Sequence, residues 1–146
     1  MSSHVPGGQR MKALTTAIYG RMAGTTLATA IGSRMYKNRA PQGVVAPYIV
    51  FFVVSDVYVP TFTEDVEQVI IQFSIFSEAS GTTEIEDIYD KLKLVYDNQT
   101  FAPTGNKVVI MTRQNATLTS GEADVTAGTG EYFQYDIDFE VIMSKD

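Results

Sequence analysis

The sequence contains no cysteine and only one histidine, His4. Without cysteine the chain has no disulfide, no thiolate nucleophile and no cysteine ligand for a metal. One histidine is too few for the usual zinc sites, and its place near the amino terminus argues against a Ser-His-Asp triad on a rigid frame. We therefore predict that the protein is not an enzyme and has no cofactor.

Motifs for phosphates and nucleotides are missing as well. The sequence has no Gly-Lys-Ser/Thr turn, and Gly128-Thr129-Gly130 precedes a predicted strand instead of a helix. The longest apolar run, 44–54, is 11 residues long and contains Pro47. A membrane helix needs about 20 residues, so this run reads as a buried strand. No secretory signal precedes it, and we expect a soluble protein.

The size and composition fit one domain. A chain of 146 residues with 45% hydrophobic and 19% charged residues can bury a core without disulfides. Residues 1–9 are small and polar, so we expect a flexible arm there and a single α+β domain over 10–146.

Charge is divided unevenly along the chain. Residues 1–55 hold six basic side chains and no carboxylate, whereas residues 56–146 hold all 17 acidic side chains. Two interpretations stay open, namely a basic layer packed on an acidic one within the fold, and complementary faces that meet between copies.

The apolar pattern predicts two helices and four strands. Apolar residues recur every three or four positions over 10–22 and 84–96, which indicates amphipathic helices. Thr83 can cap the second helix, with Glu86 at the capping-box spacing. A short helical turn over 26–31 can follow the first helix. Strands are predicted over 48–55, 66–77, 107–118 and 131–143.

These elements predict a mostly antiparallel four-stranded sheet with two helices packed on one face, in the order α-β-β-α-β-β. The segment 34–47 contains Pro41, Gly43 and Pro47 and is expected to be irregular. The glycine-rich segment 119–130 is expected to form one of the long hairpin loops.

Three carboxylates alternate with apolar residues in the last strand, so Asp136, Asp138 and Glu140 share one face of the sheet. The simplest interpretation is a solvated face that opposes edge aggregation. They could instead bind a divalent cation or act as an acid/base pair. A third interpretation is that they line a ring through which DNA passes, because an acidic wall repels phosphate.

Two further groups are candidate interface residues. Arg34, Lys37 and Arg39 accompany Tyr36 in the irregular segment and could contact an acidic neighbour or the DNA backbone. Tyr58 and Phe62 flank the first hairpin, where aromatic side chains often anchor a protein interface. Scattered surface charge and aromatic rings folded back over the sheet are the plainer alternatives.

The segment 14–52 carries motifs of a known family. Its blocks are Ile31-Gly32-Ser33-Arg34-Met35-Tyr36, then Arg39-Ala40-Pro41-Gln42-Gly43, then Ala46-Pro47-Tyr48-Ile49-Val50-Phe51. This order resembles the tail-completion, or tail-terminator, proteins of long-tailed, siphovirus-like phages and prophages. The motifs cover about a quarter of the chain.

The resemblance implies a structural virion protein that forms a homo-oligomeric ring, commonly a hexamer, at the head-proximal end of the tail tube. Such a ring ends tube growth and joins tail to head. The implied partners are the tail tube protein and a head-tail connector or neck protein, with DNA only as transiting cargo. The protein would be found in the virion, and in the host cytoplasm during assembly. The residues that match the family motifs are Arg34, Tyr36, Arg39, Pro41, Pro47 and Tyr48.

Other functions remain open at this point. One is another neck or head-closure subunit of the same virion. A small carboxylate- or metal-dependent enzyme is a less favoured alternative, and a ligand-binding dimer is another.

Overall fold

A mixed sheet with three helices makes up the part of the chain that the computed structural model describes, which is residues 7–60, 65–79, 81–103, 105–122 and 131–145. The helices are α1 (Gly7–Met22), α2 (Thr26–Ile31) and α3 (Thr83–Tyr96). The strands are β1 (Met35–Lys37), β2 (Tyr48–Pro60), β3 (Asp65–Ser77), β4 (Gln99–Phe101), β5 (Asn106–Glu122) and β6 (Glu131–Lys145). No helix of these residues is long and apolar enough to cross a membrane.

The described strands form a six-stranded sheet in the order β1-β2-β3-β6-β5-β4. The four long strands β2, β3, β6 and β5 are antiparallel to their neighbours. The short strand β1 runs parallel to β2, and the short strand β4 runs antiparallel to β5. Each short strand covers only part of the long strand beside it.

The predicted four-stranded sheet with two helices is therefore wrong. Among the described residues alone, the sheet has two more strands than predicted and one parallel pair, and α2 is a third helix. β1 and β4 have three residues each, which is too few to show a period of two. β1 also lies in the segment where Pro41, Gly43 and Pro47 predicted irregular chain, although these residues all follow it.

The predicted long elements are present with longer bounds. α1 begins at Gly7, inside the segment expected to be a flexible arm. Residues 1–6, including His4, lie outside the described residues. β2 continues to Pro60 and β5 to Glu122, past their predicted ends. Of the predicted loop 119–130, residues 123–130 also lie outside the described residues.

The core lies between the helices and one face of the sheet, hereafter the helix side. Alternate residues of β3 and β6 point into it, and Phe73, Ile75, Ile137 and Phe139 are fully buried. Phe73 contacts the rings of Phe51, Tyr96 and Phe139. The predicted stripe of α3 is confirmed, since all its members are buried: Ile85, Ile88, Tyr89, Leu92, Val95 and Tyr96.

Hydrogen bonds join α1 to α3 across this core. The hydroxyl of Tyr96 donates to the carbonyl of Ile18 at 2.6 Å. The guanidinium of Arg21 donates to the carbonyl of Val95 at 3.0 Å and to the side-chain oxygen of Gln99 at 2.8 Å. Arg21 thus satisfies a carbonyl at the carboxyl end of α3, where helix carbonyls lack partners within the helix.

The start of α3 differs from the predicted capping box. The residue before the helix is Thr82, not Thr83, and its side chain makes no capping hydrogen bond. The backbone carbonyl of Thr82 accepts from the amide of Glu86 instead. Ser77 at the end of β3 donates to Glu84 at 2.7 Å, which fixes the first turn of α3 to the sheet.

Candidate assembly surfaces

The sheet face away from the helices, hereafter the open face, carries a row of polar side chains along β3 and β6. Ser74 pairs across the strands with Asp136, Gln72 with Asp138, and Ile70 with Glu140. Ser74 donates to Asp136 at 2.7 Å and Gln72 donates to Asp138 at 2.9 Å. The three predicted carboxylates therefore do lie on one face, each beside an uncharged partner.

The three carboxylates receive their hydrogen bonds from neutral groups. Glu140 accepts from Gln68, and Asp136 also accepts from Gln134 at 2.9 Å. None of the three takes part in an ion pair among the side chains that the structure describes. Three negative charges thus stand in a row, about 7 Å apart by the strand rise.

A metal site is not favoured at this row. In the described ranges, no group of three or more His, Cys, Asp or Glu side chains is arranged to hold a metal ion. Successive carboxylates along a strand are too far apart to share one small cation, whose oxygen ligands lie within about 2.6 Å of it. The observed hydrogen bonds give these carboxylates a structural role between β3 and β6.

The segment 38–47 folds beside one end of the open face, where β2 begins. Arg34 positions it, because its Nε donates to the carbonyl of Pro47 at 3.0 Å. The backbone amide of Ile49 donates to the carbonyl of Arg34 at 2.9 Å, and the amide of Asn38 donates to the carbonyl of Phe51 at 2.8 Å. Both ends of the segment are therefore fixed to β2.

A groove of about 720 Å³ separates this segment from the sheet. Arg39 and Pro41 line it on the loop side, and Tyr48 and Ser74 line it on the sheet side. Tyr48 stacks on Phe76 with ring centroids 4.8 Å apart. Burial, and secondarily the charge of Glu78, raises the pKa of Tyr48 above its usual value.

The residues that match the family motifs thus lie together at this end, hereafter the near end. Arg34 and Pro47 bind each other, and Tyr36 is half-buried on β1. Arg39 and Pro41 are exposed. Some of these residues therefore shape the segment, and others are available to a neighbour.

Tyr58 is remote from this group, since it lies near the other end of β2, hereafter the far end. Ten residues separate it from Tyr48 along one strand, or about 33 Å. Its side chain is 58% exposed. Phe62, predicted to act with it, lies outside the described residues. The structure therefore does not bring Tyr58 together with Tyr48 and the other family-motif residues of the near end.

Exposed apolar side chains are the feature that sequence reasoning missed. The strand predicted over 48–55 was expected to be buried, yet Val54 within it is 53% exposed, and Val57, in the part of β2 beyond the predicted strand, is 50% exposed. A continuous apolar run does not tell which of its residues a neighbouring element covers. The other large apolar side chains exposed in the described residues are Val45, Tyr58, Leu94, Ile110 and Leu118.

The basic residues of the first 55 positions are not paired with the acidic ones in the described side chains. Arg21 and Arg34 bind uncharged oxygens, and Arg21 also lies over the ring of Phe101 at 4.9 Å. The ion pairs of the described side chains all lie within 87–113. This arrangement favours the interpretation in which unlike charges meet between copies.

Comparisons with known proteins give both a family and a shared fold. The family model described as "Tail completion protein gp17" matches residues 12–144. The solved structure titled "Virion of native gene transfer agent (GTA) particle" contains a similar chain, with a TM-score of 0.67 and 14% sequence identity. The match covers 87% of this chain and 91% of that chain, and at this identity it shows a shared fold. No curated protein matches the sequence.

Proposed function

Since the chain belongs to the tail completion protein gp17 family, we propose that it forms a ring that ends the tail tube of a phage-like virion and joins the tail to the head. The match over residues 12–144 carries this proposal, because it spans nearly the whole fold. The protein is a structural component of the tail or neck. Six copies is the number that the family resemblance implies.

The open face of the sheet lines the channel of this ring, and the helices face outward. The charge of the open face supports this orientation. Asp136, Asp138 and Glu140 give the open face a negative row without a paired cation among the described side chains. A negative wall repels the phosphates of passing DNA, so the duplex slides without binding.

The protein acts by binding and not by catalysis. The composition supports this, since cysteine is absent and the single histidine is His4. Its partners are copies of itself, the tail tube protein and a connector or neck protein, and DNA passes only as cargo. Assembly takes place in the host cytoplasm.

The exposed near-end residues Arg39 and Pro41 contact a partner, whereas Arg34 and Pro47 hold the segment that presents them. Arg39→Glu should weaken the joining of tail to head or tube, and Lys12→Glu on the exposed side of α1 is the control with the same charge change. Equal joining by both variants would remove Arg39 from the interface.

The function is tested by electron microscopy of tails assembled without this protein. Tails of uncontrolled length are expected if the ring ends tube growth. Tails of normal length that lack heads would assign the protein to the neck as a head-closure subunit. Normal tails with heads attached would overturn the proposal.

The channel orientation is tested by reversing charge on each side of the fold. Lysine at 136, 138 and 140 should leave the ring intact but lower the yield of infectious particles, because the channel would then bind DNA. Lysine at 86, 87 and 90, on the exposed side of α3, makes the same charge change and should leave the yield unchanged. Equal yields from both variants would contradict a channel-lining open face.

A further inference from the structure

Each outer edge of the sheet is covered along only half of its length. On the β2 side, β1 pairs with Ile49, Val50 and Phe51, so residues 52–60 have no strand beside them in the described part of the chain. On the β5 side, β4 pairs between Val108 and Met111, and Asp97 accepts from the amide of Arg113 at 3.0 Å. Residues 114–122 of β5 then form the second free edge within the described ranges.

The two free edges lie at opposite ends of the sheet. β2 runs from the near end to the far end, so 52–60 is its far half. β5 runs in the reverse direction, so 114–122 is its near half. β1 covers the near part of β2, and β4 covers the far part of β5. The free edge of β2 in one copy can therefore meet the free edge of β5 in the next copy.

Each free edge has only part of the usual protection against pairing. Natural sheets protect edges with lysine, proline, charge, a β-bulge or a very short strand. The β2 edge has one charge, Asp56, a register shift between Val53 and Ser55, and Pro60 at its far end. The β5 edge has no charge before Glu122 and contains Thr117 and Thr119. Long edges of β-branched residues with few charges favour strand addition.

Strand directions fit a head-to-tail contact without any rotation of the sheet. β2 and β6 run one way and β3 and β5 run the other way. When a second copy is placed beside the first by translation, its β2 lies antiparallel to β5 of the first. The contact therefore continues the antiparallel pattern of the four long strands, and it joins two different surfaces as a ring requires.

The required stagger also has the right size. Val69 lies opposite Asp56, and Ile75 is level with Leu118 through Tyr135. Asp56 and Leu118 are the middles of the two free edges, and Val69 and Ile75 lie six residues apart on β3, so bringing these middles together displaces the next copy by about 20 Å along the strands. Four strand spacings of about 4.8 Å separate the copies, so the strands tilt by about 45°, at the upper end of the range found in closed cylindrical sheets.

We infer that copies of this chain join edge to edge, with residues 52–60 of β2 pairing antiparallel with residues 114–122 of β5 in the adjacent copy, to give one continuous sheet around the ring. This inference rests on the proposed ring and adds the surfaces that close it. Side chains must stay on their own faces, so Val57 on the open face lies beside residue 115, 117 or 119 and not beside 116 or 118.

The absence of cysteine makes this contact testable by disulfide cross-linking. Double variants combine Val57→Cys with cysteine at 115, 117 or 119, and they are oxidised with glutathione disulfide under conditions where sedimentation shows the oligomer. One of the three is expected to form a ladder of covalent multimers. The single variants should form none, because a head-to-tail contact does not bring a residue next to its own copy.

Two controls separate edge pairing from chance collision. Val57→Cys with Ala116→Cys or Leu118→Cys tests the face rule, and Val57→Cys with Leu94→Cys tests a more exposed residue on α3. These pairs should yield at most a tenth of the cross-linked product. An intact oligomer in which no open-face pair exceeds the controls would overturn the inference and leave the ring function standing.

A second measurement does not depend on cysteine variants. Leu118→Pro removes a backbone donor from the free edge of β5, because Leu118 alternates with Thr117 and Thr119, whose backbone groups face β6. It should lower the oligomer fraction at least tenfold, with an unchanged circular dichroism spectrum. Thr16→Lys on the exposed side of α1 should leave the oligomer fraction unchanged. If the wild-type protein stays monomeric even with tail tube present, the ring itself fails. If Leu118→Pro assembles normally, only the edge contact fails.

Discussion

The two faces of the same sheet have opposite properties, and β3 shows this within neighbouring residues. Phe73 points to the helix side, is fully buried and contacts three aromatic rings. Gln72 points to the open face and makes one side-chain hydrogen bond, to Asp138. The helix side therefore holds the fold together. The open face is less buried, apart from Val50 and Ser74 beside the segment 38–47, and it contributes less to folding, so its exposed residues can serve assembly.

The largest expected effect contrasts these two neighbours. Phe73→Ala removes a ring from the centre of the core and should lower the free energy of unfolding by about 3–5 kcal/mol. Gln72→Ala should lower it by less than about 1 kcal/mol, because one partly solvated hydrogen bond is lost. Urea denaturation of both variants measures the difference. Similar losses would mean that the open face is part of the folding core.

A smaller effect is expected where the near-end segment meets the open face. Arg34→Met keeps an apolar stem but removes the donor to the carbonyl of Pro47, at a cost of about 1–2 kcal/mol in unfolding free energy. Hydrogen exchange should also become faster in 38–47. Arg39→Met, in the same segment but exposed, should change stability by less than about 0.5 kcal/mol. Equal effects would show that Arg34 has no anchoring role.

On the helix side, the hydroxyl of Tyr96 predicts a pH-dependent contribution. Burial raises the pKa of Tyr96 well above its usual value, and its hydroxyl donates to the carbonyl of Ile18. Tyr96→Phe should therefore cost about 1 kcal/mol at neutral pH. Above a pH of about 10 the unfolded chain loses this proton while the folded protein keeps it, so the wild type loses stability with rising pH.

The stability difference between wild type and Tyr96→Phe should accordingly shrink as pH rises above about 10. Denaturation curves of both proteins across this range measure it. Tyr58→Phe, which alters an exposed hydroxyl, should change neutral stability by less than about 0.5 kcal/mol. A difference for Tyr96→Phe that grows with pH would contradict the burial argument.

The smallest effect is expected on the open face. Asn at 136 and 138 with Gln at 140 keeps the shape of the carboxylate row and removes its charge. The stability change should stay below about 1 kcal/mol in total, because the repulsion relieved offsets the weaker hydrogen bonds. The wild type should gain more stability from added salt than this variant. Identical salt dependence would show that the three charges do not repel each other measurably.

The difference between the faces also explains what could be predicted from the sequence. A period of two in β6 and a period of three to four in α3 reflect burial on one side, and both elements were confirmed together with their buried residues. β1 and β4 could not be found in this way. They are held by hydrogen bonds to residues distant in sequence, such as Met35 beside Ile49, and three residues contain no period.

The candidate site was predicted in part for the same reason. Alternation placed Asp136, Asp138 and Glu140 on one face, but it could not supply their partners Ser74, Gln72 and Gln68, which depend on the register between β3 and β6. The exposed part of β2 was missed because a run of valines reads as buried. Only the pairing between β1 and β2 shows which residues of β2 have no strand beside them in the described part of the chain.

The position of β6 has a consequence for biosynthesis. β6 is inserted between β3 and β5, although it follows both of them in the chain. Until residues 131–145 leave the ribosome, β3 has no partner on one side and β5 has only the three-residue β4. The sheet is therefore completed only after β6 has been synthesised, and shorter nascent chains expose unpaired apolar strands that are prone to premature association.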